Sequence, residues 1–115
     1  MKKLIMANIL AAASIVSSSA FALTSEQLNV ISQERADYFL INGSTESWQQ
    51  ACNTIVNSNP AQAKIDFTLA YPLETCSTTD FSAFFACKDR NTANQNTQSV
   101  FDIKASITAN DCSEL

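Results

Sequence analysis

Asn59-Pro60-Ala61-Gln62-Ala63-Lys64-Ile65-Asp66-Phe67-Thr68-Leu69-Ala70-Tyr71 decides the fold class, because this stretch satisfies two secondary-structure patterns at once. From Ala63 to Tyr71 every odd position is apolar, with Lys64, Asp66, Thr68 and Ala70 between them. Strict alternation is the mark of a half-buried strand, whose successive side chains point to opposite faces. The rival is a helix opened at Asn59-Pro60, since proline is favoured at the first helical position. Period 2 is the closer fit, so the reading is a strand ended by Pro72. Under the rival, the chain becomes an all-α domain stapled by disulfides.

A similar segment follows. Val100 to Thr108 again places its apolar residues at odd positions (Phe101, Ile103, Ala105, Ile107), a shift of 36 from Ile65, Phe67, Leu69 and Tyr71. An even shift preserves strand phase. Upstream, Ser47-Trp48-Gln49-Gln50-Ala51-Cys52 is matched by Ser82-Ala83-Phe84-Phe85-Ala86-Cys87, at a shift of 35. Cys76 and Cys112 close the two copies. The pattern suggests an internal αβ duplication over about 47–76 and 82–112 within one small domain.

The other elements read as helices. Thr24 with Gln27 three residues on forms a capping box, and Leu28, Ile31, Arg35, Tyr38 and Phe39 at helical spacing give one apolar stripe over Ser25 to Ile41, stopped by Asn42-Gly43. A second helix is expected from about Thr45 to Val56, with Trp48, Cys52 and Ile55 facing the core. Asp80 caps a short helix, Phe81 to Lys88, whose three phenylalanines would fill the core beside the strands. Asn91 to Gln98, built only of Asn, Thr, Ala, Gln, is expected to be a mobile surface loop. The fold class is therefore α+β: two N-terminal helices, then strand, short helix, strand.

Lys2-Lys3, the uncharged run Leu4 to Val16 and the small residues Ser17 to Ala22 have the order of a secretory signal peptide cleaved after Ala22. Its apolar core is short against the roughly 20 residues that cross a bilayer. No cysteine adjoins the cleavage point, so a lipid anchor is not expected. The domain would be exported, to the periplasm or the medium, with no membrane insertion after cleavage. In an oxidising compartment Cys52, Cys76, Cys87 and Cys112 read as two disulfides. Three connectivities are open. The duplication favours Cys52–Cys76 with Cys87–Cys112; the competitor joins Cys76 to Cys87 and Cys52 to Cys112. A zinc site would need closer cysteine pairs or histidines, and the chain has no histidine. No metal and no cofactor is expected.

Loss of Lys2 and Lys3 leaves five basic against eleven acidic residues, a net charge of about −6. Such a surface repels nucleic acid and anionic membranes and favours basic partners. Catalytic machinery is sparse. There is no histidine base for a nucleophile, and one glycine cannot build a phosphate-cradling loop. Asp66 and Asp102, equivalent in the two copies, could form a carboxylate pair for a hydrolase using carboxylates alone, but they stand beside Lys64 and Lys104 on the expected outer face. Asp89, Asn91 and Asn96 lack the carboxylate count of a calcium loop.

These readings point to an exported non-enzymatic binding protein, an inhibitor or immunity-type protein against another exported, basic protein. Its candidate contact residues are Trp48, Asp66, Asp102, Asn91, Asn94 and Asn96. The other class in view is a structural or assembly component of the cell envelope or a surface appendage, resting on strand edges that could pair between copies. The sequence leaves the oligomeric state open.

Overall fold

The computed structural model describes residues 23–115; the expected signal peptide and its cleavage point lie outside the described residues. Five helices follow one another: α1 (Ser25–Asn42), α2 (Trp48–Asn57), α3 (Pro60–Ala70), α4 (Phe81–Ala105) and α5 (Ala109–Ser113). No strand occurs among the described residues. The α+β expectation is therefore wrong, and the class is all-α.

The reason lies at the helix starts. Every helix opens on a Ser, Thr, Asn or Asp whose side chain accepts a hydrogen bond from the third residue inside: Thr24, Ser47, Asn59, Asp80 and Thr108. Such caps satisfy backbone N–H groups that the first turn leaves without a helical acceptor. At the deciding stretch, Asn59 adopts φ 53°, a left-handed conformation that asparagine tolerates better than most residues. Pro60 then enters as the first helical residue and is buried. Once the stretch is helical, its odd positions separate. Ala63 and Phe67 lie one turn apart and are half-buried, whereas Ile65 and Leu69 come round to the other side and are exposed. The alternation was thus two stripes of one helix. Tyr71 leaves helical geometry before Pro72, which disfavours helix in the residue preceding it.

The supposed loop 91–98 and the second supposed strand as far as Ala105 belong to α4, and residues 106–108 link it to α5. Helix α4 runs unbroken for 25 residues, about 37 Å at the usual rise. The expected short helix, Phe81 to Lys88, is only its beginning. Asn, Thr, Gln and Ala carry no helix-breaking geometry, so an uncharged polar run continues a helix that its ends already support. The two similar segments do not form αβ units; they meet face to face. Phe67 and Phe101 lie 5.8 Å apart between ring centroids, and Lys64 Nζ donates to Asp102 Oδ1 at 2.8 Å.

The core occupies one end of the molecule. Leu23, Val30, Ile31, Ala51, Cys52, Ile55, Ile107 and Cys112 are buried together, with Leu28, Val56, Ile103 and Leu115 half-buried against them. Gln27 Nε2 donates to Ser106 Oγ at 2.8 Å, tying the start of α1 to the end of α4. Away from this core, α3 and most of α4 form an arm.

Two expected core assignments are corrected by this shape. Trp48 is 40 % exposed, at the first position of α2 instead of on its inner face. Phe81 and Phe85 are exposed on the arm, with only Phe84 half-buried, because no strands exist for them to cover. Gly43 does end α1 as a left-handed cap, φ 72°, its N–H donating to Phe39 O at 2.8 Å.

All four cysteines are oxidised, in the pairing Cys52–Cys112 and Cys76–Cys87. The within-copy pairing favoured by the supposed duplication is not formed. Cys52–Cys112 spans 60 residues, worth about 4 kcal/mol on the chain-entropy estimate, against about 3 kcal/mol for the 11-residue Cys76–Cys87 loop. Trypsin cleaves after Arg35, Lys64, Lys88, Arg90 and Lys104. Without reduction, peptide 36–64 should emerge linked to 105–115, while 65–88 carries its own disulfide. A species joining all three peptides would contradict this pairing. C52A/C112A should lower unfolding stability by about 4 kcal/mol in denaturant titrations.

Candidate binding site

The second half of α1 and the segment that turns back along it enclose a groove of about 420 Å³. Gly43 makes the turn, and Thr45 and Glu46 run back beside α1. Arg35 fastens the two sides. Its Nε donates to the Glu46 carbonyl at 3.0 Å, and its guanidinium lies 4.7 Å from the centroid of the Trp48 ring. Ala36, Phe39 and Leu40 supply an apolar wall. Leu40 and its neighbour Ile41 are 80 % and 83 % exposed.

Glu46 is the unusual member. The residue is only 9 % exposed, and Oε1 of its carboxylate is closed to solvent without a hydrogen-bond partner. Leaving a buried acceptor unpaired costs about 1–3 kcal/mol, more for a charged group. Such an atom is either strain carried by the fold or a place kept for a donor. Nearby, Glu34 is held above the usual carboxylate range, first by burial and further by the charges of Glu46 and Asp37, while Lys104 opposes them.

A second constellation sits on the arm and is structural. Arg90 Nε and Nη2 donate to the two carboxylate oxygens of Glu74, each at 2.8 Å. Asn91 grips the same residue through its backbone, Nδ2 donating to Glu74 O and Oδ1 accepting from Glu74 N–H, both at 2.9 Å. Together with Cys76–Cys87 these contacts pin the segment 71–80 along α4. The arginine hydrogen bonds hold the Glu74 carboxyl below its ordinary range, and the guanidinium of Arg90 is correspondingly harder to deprotonate.

The contact residues expected from the sequence are not brought together. Trp48 stands at the groove end, held by Arg35. Asp102 is paired with Lys64, and Asp66, which accepts from Gln62 Nε2 at 3.0 Å, lies about 200° round α3 from Lys64. The two carboxylates therefore do not form a pair. Asn91 is spent on the clamp, while Asn94 and Asn96 lie half-buried and exposed on α4. Among the described residues, no group of three or more His, Cys, Asp or Glu side chains is placed to hold a metal ion. No described helix is long and apolar enough to cross a membrane. The groove was missed because Glu46 read as a helix-start residue; its burial is a tertiary fact with no local signal. Comparison with family models, with curated proteins and with solved structures finds no match to this chain.

The two shifted carboxyls have opposite consequences for stability. Glu34, raised, favours the folded state below about pH 4.5, and that contribution is lost as pH rises through its folded value. Glu74, lowered, contributes above about pH 4.5, and its contribution is lost as pH falls through its folded value. E34Q should therefore raise Tm at pH 7 and lose that advantage in acid. R90Q should lower Tm at pH 7 and converge on the parent in acid. Thermal melts across pH check both, and an E34Q protein less stable at pH 7 would contradict the assignment.

Proposed function

We propose that the mature chain is an exported, non-enzymatic binding protein, an inhibitor or immunity-type protein that captures another exported protein of basic character. One observation carries the reading: among the described residues eleven large apolar side chains are exposed, whereas the buried core cluster holds only five, Leu23, Val30, Ile31, Ile55 and Ile107, beside one alanine and two half-cystines. A monomer rarely leaves that balance unless part of its surface is destined for a partner. The net charge of about −6 after signal cleavage supplies the sign of that partner, speeding encounter with a basic surface. Two disulfides suit the oxidising compartment to which the leader would deliver the chain.

A second reading, an assembly component of the envelope or a surface appendage, is favoured by the arm. Leu69, Tyr71, Leu73, Phe81 and Phe85 are all exposed there, remote from the core. Self-association through apolar side chains would replace the strand-edge pairing considered from the sequence.

Immobilised residues 23–115, oxidised, should retain a basic exported protein at low salt and release it at high salt. Recovery of the protein itself alone, with a mass that rises with concentration in sedimentation, would replace capture by assembly.

A further inference from the structure

We propose that the groove between α1 and Glu46 seats a cationic side chain, Lys or Arg, of the captured partner, with the Glu46 carboxylate as its acceptor. The inference rests on the binding-protein reading and names the chemistry of the contact. Three features of the groove converge on it.

The first is the carboxylate itself. Glu46 lines the groove, is more than nine-tenths buried, and holds one oxygen with no donor. An ammonium or guanidinium group brings both the missing donor and the opposite charge. The second is shape and polarity. Ala36, Phe39 and Leu40 form an apolar wall leading to the carboxylate, and Lys and Arg carry an apolar stem behind a charged head. An anion or a neutral polar ligand would match only part of this surface. The third is the surrounding field. Glu34 responds to the charge of Glu46 and to that of Asp37, so further negative charge stands near the groove. Against these charges stand Arg35 and Lys104. Arg35 is already engaged, its Nε on the Glu46 carbonyl and its guanidinium over Trp48, and it makes no ion pair with the Glu46 carboxylate. Within the groove itself Glu46 is the one carboxylate and Arg35 the one cation, and Arg35 is already engaged, so the free charge left there is negative.

Because Oε1 is closed to solvent, binding turns the carboxylate outward into the groove. The Arg35–carbonyl hydrogen bond keeps the backbone of Glu46 in place while the side chain rotates.

The probe is capped lysine, N-acetyl-lysine methylamide, titrated into isotopically labelled residues 23–115 by NMR, with the capped norleucine analogue as the uncharged control. The expected result is a shift of the Glu46 side-chain carboxyl carbon and the Leu40 methyl groups with lysine and not with norleucine. E46Q should weaken binding about tenfold or more, the loss of a charged hydrogen bond. E46Q removes a buried unpartnered charge, so its Tm should equal or exceed that of the parent, which guards against reading misfolding as lost affinity. L40A, at a site too exposed to matter for folding, should weaken binding more modestly. Equal binding of norleucine, or shifts that persist unchanged in E46Q, would overturn the proposal. The two levels fail separately. If a basic protein is captured equally well by the parent and by E46Q, the groove is not its seat although capture stands. If capped lysine binds as described but no protein is captured, the cation site stands and the partner reading falls.

Discussion

Cys52–Cys112 is the bond on which this molecule depends. It joins α2 to α5 across 60 residues of chain and lies fully buried in a core cluster of only eight residues. A domain of about 90 residues with so small a core gains little from hydrophobic burial relative to the entropy its chain loses. By restricting the unfolded chain, the disulfide offsets part of that loss. It also fixes the C-terminus of α4, since the short link 106–108 between α4 and α5 carries Ile107 into the same core. Everything beyond that point on α4 is cantilevered.

The arm has a different economy. The Phe67–Phe101 and Phe67–Tyr71 contacts, the Lys64–Asp102 pair and the second disulfide hold α3 and the segment 71–80 against α4. The Lys64–Asp102 pair is exposed and contributes little by itself. The arm therefore stays ordered through local fastening and leaves most of its apolar side chains at the surface. A thin core at one end, a fastened arm at the other, and a groove beside the core make a scaffold with far more surface than its length requires. That surplus is what the functional reading uses.

How much of this was legible can be judged residue by residue. The limits of α1 were written locally: the Thr24–Gln27 box and Gly43 need only their own neighbours. Asp80 announced the start of α4 for the same reason. Its far end was not announced, because the polar run 91–98 lacks a hydrophobic period and takes its helicity from both flanks. The 63–71 alternation misled because a helix with one half-buried and one exposed apolar stripe also places apolar residues at i, i+2 and i+4. The better guide was Asn59-Pro60, two residues with one geometric meaning. The last helix was missed altogether, because Thr108, read as the end of a strand, is in fact its cap, with Asp111 three residues on. The disulfide pairing followed from the wrong fold: with no αβ repeat, there was no reason for each copy to close on itself. The groove could not have been read at all, since Arg35, Phe39, Leu40 and Glu46 form a site only after Gly43 folds the chain back.

Residues 23–115 fold as helices alone, stapled by Cys52–Cys112 and Cys76–Cys87, and not as an α+β unit. Far-UV circular dichroism of the oxidised residues 23–115 tests this most directly. The five helices hold 69 of these 93 residues, so the spectrum should be that of a protein about three-quarters helical with no strand component. A spectrum with a substantial strand fraction and much less helix would contradict it.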